Sequence, residues 1–449
     1  MLDASATLKT LTRTYHGLQA CCFASWMANF IYSIFGVVFM NLLGVSLSGI
    51  FLLNVLIIAV SFFASSILNQ RSDRLTKRKT FMIFSYIIRA VGIFFLAIGN
   101  DIYFFIISSF IVNLVNPLSF DTAIIYELGD GLGWLKSTVD GTVVVENAGT
   151  QYYLKYRRFG SLGWALMAPA AGIGIMMLDA TLPSGEFFFI NLPGFRIFLY
   201  LSVVIYLAVT LVFAAIYDEG LLNALKREKQ DSSITRNAVP ETKVKNAGQH
   251  IKTSMNALFL LMLAILLFNI SSSLFQTPYA IFMNDFSGGN LFYVGVSFFL
   301  SAILETFLFS VAFRVITKKG YPFLLSLSFL LEIIRVLTTI VVIPFGHPEL
   351  VLPLQMMNSF CLRWPAITHG ISVVSPKHKA TGINANFILE KVGGLFGSVL
   401  GAVLSFNAGA GTEISIYNNL FVLSLLILVI IEAIFTIGSI VQQRRQKQI

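Results

Sequence analysis

KYRRFGSLGWALMAPAAGIGIMML, residues 155–178, sets Lys155, Arg157 and Arg158 directly against an apolar run that carries no further charge. About 18–20 such residues in a helix cross the roughly 30 Å hydrocarbon core of a bilayer. Trp164 follows Arg157 by two helical turns and so shares its face. Gly160 and Gly163 lie between them, where small residues let two helix backbones approach closely. Glycine is also common in membrane helices generally, and that alternative stays open.

The rest of the chain repeats this pattern. Hydrophobic residues make up 56% of the 449, charged residues 12%, and mean hydropathy is +0.79. That composition excludes an ordinary soluble domain. Barrel strands would be about half as long and alternating in polarity, so the chain reads as an all-α integral membrane protein. Apolar runs near 17–41, 47–68, 80–99, 102–122, 160–178, 195–216, 254–278, 292–315, 322–344, 350–373, 382–406 and 416–440 predict twelve spans.

Charge orients them. If the N-terminus is cytoplasmic, 26 of the 31 Lys and Arg residues fall in inside segments and only Arg196 falls outside. This is the positive-inside pattern, and it places both termini in the cytoplasm of a multi-pass cell-membrane protein. The net charge of +9 is therefore spread along one membrane face and gives no reason to expect nucleic acid as a partner. MLDASATLKTLTRTYHG lacks the features of a cleaved secretory signal. Cys21, Cys22 and Cys361 have no metal-ligand spacing and read as small buried hydrophobes.

The hydrophilic stretch 217–253 reads as a flexible cytoplasmic linker between two six-span units, 1–216 and 254–449. Two echoes relate the units. Arg74, Arg78 and Lys79 after span 2 recur as Arg314, Lys318 and Lys319 after span 8. Arg157, Gly160 and Gly163 recur as Lys391, Gly394 and Gly397 in span 11. Such internal repeats place a binding site between two pseudo-symmetric bundles. An insert at about 126–156 contains TVVVE and TQYYLKY around a turn-like NAG, a short hairpin signal.

Ionisable groups inside a bilayer usually face a cavity or a partner. Here they are Arg89, Asp121, Arg157, Glu305, Glu332, Arg335, Arg363, Glu390, Lys391 and Glu432, with Arg158 at a span edge. Glu332 and Arg335 stand three apart and are able to neutralise each other, while Glu432 is near enough to an end to snorkel. Asp121, Arg157 and Glu305 have no opposite charge within a turn of their own helix and require partners elsewhere. Trp164 beside Arg157 suits a sugar ring, whose apolar face stacks while its hydroxyls bond charged groups. An interfacial tryptophan is the equally open alternative.

These residues resemble the major facilitator superfamily, and within it the lactose permease-like oligosaccharide–proton symporters. NQRSDRLTKRKT is similar to the superfamily's loop between helices 2 and 3, which implies a cytoplasmic gate at Asp73, Arg74 and Arg78. Asn69 and Thr76 stand where that motif has glycines. KYRRFGSLGWAL resembles the start of the permease helix 5, which implies solute contacts for Arg157 and Trp164, with Asp121 as the helix-4 acid. By the same resemblance Glu305 and Lys391 join the solute site, and Glu305, Arg335 and Glu332 form a charge network. The implied fold is two six-helix bundles, and the implied function is carriage of a small polar solute, a sugar or glycoside, by alternating access, by a monomer without cofactor or metal.

Gln355 and Asn358 stand where the permeases have a titratable pair on helix 10, and neither titrates near neutral pH. Glu305 or Asp121 is then left to carry any coupled proton. Two other functions fit the same fold: export of drugs or metabolites, and a non-transporting sensor. Exporters of the superfamily carry a glycine before the proline of helix 5, and Pro169 lacks it. No nucleotide loop, metal cluster or nucleophile–base set marks an enzyme. On the sugar-site expectation, Trp164→Ala weakens solute binding more than Trp26→Ala.

Overall fold

The protein is described here by a computed structural model covering residues 4–75, 77–114, 117–140, 148–182, 192–236, 250–358, 360–374, 379–407 and 413–447. Every regular element among them is helical. Helix α1 (Ala4–Phe30) continues through a π turn, Ile31–Phe35, into α2 (Gly36–Leu42). There follow α3 (Leu47–Leu75), α4 (Arg78–Ile98), α5 (Ile102–Leu114), α6 (Pro117–Asp140), α7 (Ala148–Thr181), α8 (Pro193–Ile216) and α9 (Glu219–Arg236). The second part of the chain comprises α10 (His250–Phe286), α11 (Leu291–Val342), α12 (Phe360–Val374), α13 (Lys379–Asn407) and α14 (Glu413–Lys447).

Ten stretches among the described residues are long and apolar enough to cross a membrane. They match ten of the twelve spans expected from hydropathy; the other two, the runs 102–122 and 350–373, are not among the ten. Within the run 102–122 the described residues form α5, which at 13 residues reaches about 20 Å, and the first residues of α6; residues 115 and 116 between them lie outside the described residues. The run 350–373 opens as the 3-10 turn Pro353–Met357, and α12 contains Pro365. Proline lacks the amide hydrogen that a continuous helix needs, so an apolar run need not be one helix. Conversely, α11 holds two spans, which turn on each other at Gly320 (φ 80°, ψ 170°), a conformation open to glycine.

The side chains sort as a bilayer requires. Val204, Leu211, Phe259, Phe307 and Ile437 are each more than 60% exposed on outward faces, where lipid in place of water removes the cost of exposure. Cys21 and Cys22 are buried, as their apolar surroundings suggested. Small residues bring helices together inside. A methyl group added at Gly163 would lie 2.3 Å from the Phe23 carbonyl oxygen, so α7 meets α1 backbone to backbone. One at Gly397 would lie 2.5 Å from the Ile270 carbonyl oxygen, so α13 meets α10 in the same way. The glycines paired in sequence thus perform paired packing tasks.

Two expectations are corrected. TQYYLKY, residues 150–156, is part of α7, not a hairpin arm, while TVVVE lies outside the described residues. Its tyrosines are held on a helical surface: Tyr153 stacks on Tyr126 at 4.9 Å, and the Tyr15 hydroxyl donates to the Tyr152 carbonyl at 2.8 Å. The linker is also not wholly irregular. Its first part forms α9, whose Leu222 and Leu225 are buried, with Leu225 against Gly131 of α6.

Two seams join the first and second parts of the chain. At one, α7 lies along α11; methyl groups at Gly172 and Gly295 would fall 2.6 Å and 2.4 Å from the carbonyl oxygens of Leu291 and Ala168. At the other, α3 lies along α13, with Gly401 against the Phe51 ring.

Candidate functional site

Arg157 projects from α7 into the protein and is 4% exposed, although the sequence places it beside the exposed end of a span. Its guanidinium carbon lies 4.2 Å from the centre of the Trp26 ring, a cation–π contact that tolerates burial better than bare hydrocarbon does. Asp121, on α6, is 6% exposed and is faced by the Tyr156 hydroxyl, Arg157 and Arg89. Arg89 is itself steered by Asn29 Oδ1 at 2.7 Å and the Tyr206 hydroxyl oxygen at 3.2 Å. The expected neighbourhood of Asp121 and Arg157 is therefore present, with Arg89 added to it.

Trp164 packs against Trp26 at 5.7 Å, Phe30 at 5.3 Å and Phe298 at 6.5 Å between ring centres. Phe298 belongs to α11, so this aromatic wall spans the seam. The Trp164 indole nitrogen is buried with no acceptor among the described residues. Trp26 is corrected from a neutral comparison position to a member of the same cluster, since it touches both Trp164 and Arg157.

Glu305 comes to this place from α11. The Ser161 hydroxyl, one turn beyond Arg157, donates to its carboxylate at 3.0 Å and so bonds the two parts of the chain directly. The charges facing Glu305 are those of Arg157, Arg363 and Arg335. Lys391 of α13 faces Glu390 and Arg89. Glu390 accepts from the Asn386 amide at 3.1 Å, and Arg363 lies 3.9 Å from the Phe268 ring centre with Glu390, Glu332 and Glu305 around it. Lys391 thus enters the constellation beside Glu390 and Arg363.

Glu332 and Arg335 form a different kind of unit. Their side chains pair at 2.9 Å, and Arg335 also donates to Gln355 Oε1 from Nε at 3.0 Å and from Nη2 at 2.5 Å. With the Gln276 amide oxygen turned toward it, the guanidinium donates there at 2.8 Å and 3.3 Å. Phe275 and Tyr279 stack alongside. Such a closed network fixes α10, α11 and the turn before α12 relative to one another. Removing one member of a buried ion pair typically costs about 3–5 kcal/mol, because the other charge is left uncompensated. Gln355 and Asn358 both hydrogen-bond to α11: Gln355 accepts from Arg335, and Asn358 donates to the Ser301 hydroxyl at 2.6 Å.

The three residues expected at a gate, Asp73, Arg74 and Arg78, divide. The Asp73 side chain lies outside the described residues, and Arg74 is exposed. Arg78 pairs with Glu127 of α6 at 2.6 Å, and Glu127 also pairs with Lys226 of α9 at 2.7 Å. Glu219, at the start of α9, accepts from the backbone amides of Arg78 and Lys79 at the start of α4. A carboxylate there complements the exposed amides and partial positive charge of a helix N-terminus. Burial, with Glu127 and Glu219 close by, pushes the Tyr217 phenol up and keeps it neutral beside them. Arg78 therefore binds the linker helix to the first part of the chain. Glu432, expected to snorkel, instead accepts from Ser326 and Thr436 between α14 and α11.

Arg89, Arg363 and Glu390 stand out in the sequence as intramembrane charges but carry no pattern that assigns them to the site. Nothing in the local spacing marked them, because their partners come from other helices. Ser161 and Phe298 carried no signal beyond their place in apolar runs.

No curated protein matches the sequence significantly. Among solved structures, the nucleoside transporter NupG aligns with a TM-score of 0.64 at 12% identity, over 94% of this chain and 99% of that one. A bacterial homologue of the human lysosomal transporter Spinster, in its inward-facing and unoccupied form, aligns with a TM-score of 0.64 at 12% identity, over 97% and 98%. A variant of the peptide transporter POT aligns with a TM-score of 0.63 at 14% identity, over 96% and 94%. At such identities the likeness establishes a shared transporter fold and leaves the solute open. Residues 30–414 match the family described as "MFS_1 like family", and the chain, a multi-pass membrane protein with the fold of major facilitator transporters, belongs to that family.

Proposed function

We propose that the protein is a secondary transporter that moves a sugar or glycoside across the cell membrane by alternating access of two six-helix bundles. In this reading α5 with α6, and the turn before α12 with α12, supply the fourth and tenth passes. Both termini then lie in the cytoplasm, as the asymmetry of Lys and Arg suggests, and the monomer is the working unit. The lactose permease-like branch is the nearest functional relation suggested by the residues themselves.

The observation that carries the reading is the convergence of Asp121, Arg157 and Trp164 with Glu305 across the α7–α11 seam. Carboxylates and a guanidinium suit sugar hydroxyls, and the indole offers a ring face together with a buried N–H that lacks an acceptor. Lys391 completes the solute site from α13, while Arg335 and Glu332 hold its frame. Glu305 or Asp121 serves as the proton carrier if transport is coupled. Asp73, Arg74 and Arg78 act at the cytoplasmic gate.

A panel of sugars and glycosides offered to proteoliposomes containing the purified protein tests the proposal. Saturable uptake of at least one, faster than in protein-free vesicles and lost in Arg157→Ala, is the expected result. Uptake of amphipathic drugs but no sugar would overturn it in favour of an exporter. Repeating the assay with an imposed pH gradient decides coupling: acceleration by an inward proton gradient is expected, and indifference to it removes the proton.

A further inference from the structure

Tyr86 of α4 is among the largest enclosed side chains of the molecule, at 1% exposure, and its hydroxyl has no hydrogen-bond partner among the described residues. Native proteins leave few buried polar groups unpaired, and each one that remains calls for a reason. The residue beside it shows the ordinary solution: the Ser85 hydroxyl turns back onto its own helix and donates to the Met82 carbonyl at 2.7 Å. Tyrosine has no such recourse, because its rigid ring carries the hydroxyl away from the backbone. The ring packs against Tyr206 and Phe213 of α8, each 6.1 Å away between centres, which fixes where the hydroxyl points.

The ionisable groups facing it are Asp121 of α6, Cys21 and Cys22 of α1, and Tyr206. Three of these are engaged with other donors: the Tyr206 oxygen accepts from Arg89 at 3.2 Å, and the Tyr156 hydroxyl bonds Asp121 and Cys22. Tyr86 and Arg89 stand three apart on α4 and so share a face. Arg89 Nε and the Trp164 indole nitrogen are likewise buried donors with no acceptor among the described residues. Donors of this kind thus gather from α4 and α7 beside Asp121 and Arg157. A solute rich in hydroxyl oxygens supplies the acceptors that they call for.

We infer that Tyr86 is a solute-binding residue whose hydroxyl donates to an oxygen of the bound sugar, so that α4 joins α6, α7 and α11 in holding it. This rests on the sugar reading proposed above and adds to it a contact that selects among sugars. A donor placed for one oxygen rejects the analogue lacking that oxygen more strongly than an apolar wall rejects an extra group, because the donor is then left unpaired.

The test uses the purified full chain with glucose, galactose, their methyl glycosides and the monodeoxy forms of each, read by isothermal titration and by thermal unfolding. Tyr86→Phe removes the hydroxyl and keeps the ring. Without sugar it is expected to leave the unfolding temperature unchanged or to raise it, since an unpaired hydroxyl has left the interior. Affinity for the best-bound sugar is expected to fall about tenfold. Tyr206→Phe is the control, expected to lower the unfolding temperature because Arg89 loses a partner. One monodeoxy form is expected to bind about tenfold more weakly than its parent in the unaltered protein, and equally well in Tyr86→Phe.

Full sugar affinity in Tyr86→Phe would overturn the assignment and leave the sugar reading standing. A lowered unfolding temperature in sugar-free Tyr86→Phe would give the hydroxyl an internal bond, such as one to a buried water, and would overturn it as well. Deoxy penalties that all persist in Tyr86→Phe would move the contact to another residue. Binding of none of these sugars by the unaltered protein would overturn the sugar reading, and the sugar contact of Tyr86 with it.

Discussion

The α7–α11 and α3–α13 seams join the same two parts of the chain with different chemistry. Along α7 and α11 the bridging hydrogen bond has a carboxylate acceptor, Ser161 to Glu305, with Arg157 and Arg363 facing the same group. Along α3 and α13 it is neutral: the Asn54 amide donates to Ser398 at 2.8 Å, supported by Thr277 at 3.4 Å and by Ser273 against Ser398 at 3.0 Å. Neutral side-chain hydrogen bonds between membrane helices average about 0.6 kcal/mol, whereas bonds to charged groups contribute about 1.5–3 kcal/mol. Water or a neighbouring hydroxyl replaces the first kind easily. A charge released from the second kind needs a new counter-charge. The α7–α11 seam is thus the one whose state depends on what is bound beside it.

The comparison is broken most directly at Arg157. Arg157→Ala is expected to lower uptake efficiency by two orders of magnitude or more, measured as initial rates in proteoliposomes; loss of less than threefold would remove the charged seam from function. Next is Glu305→Gln, which keeps an acceptor for Ser161 while removing the charge. A tenfold loss of uptake with a flattened pH dependence is expected, and an unchanged pH profile would take the proton away from Glu305. Trp164→Ala is expected to weaken solute binding about tenfold and Trp26→Ala nearly as much, because the two rings touch and Trp26 underlies Arg157. Trp134→Ala serves as the unaffected comparison in a binding assay. The smallest effect belongs to the neutral seam: Asn54→Ala should reduce stability by about 0.6 kcal/mol, read in thermal unfolding, and leave uptake within twofold.

The parts of the fold legible in sequence were those set by composition along the chain. Long uncharged runs became helices because the backbone has no other way to satisfy its amides in hydrocarbon. The 3-10 turn at Pro353 was less visible, since hydropathy does not register a missing amide hydrogen. The reading of TQYYLKY failed for the opposite reason: its aromatic pattern favours a strand locally, but contacts from Tyr15 and Tyr126 stabilise it as helix. Within the site, Arg157 and Trp164 were legible because both lie on one helix face. Arg89 and Arg363 were not, because the residues that hold them are Asn29 and Phe268, far away in sequence.

The crossing of α7 and α11 at Gly172 and Gly295 also has a mechanical meaning. Where two helices meet through backbone alone, no side chain has to leave a rotamer well or climb over a neighbour for the angle between them to change. The joint is therefore stiff against sliding apart, because the close surfaces are in full dispersion contact, yet compliant in rotation. A lever pivoting there would convert a small displacement at Glu305 into a larger one where that span ends at Gly320, in proportion to its distance from the crossing.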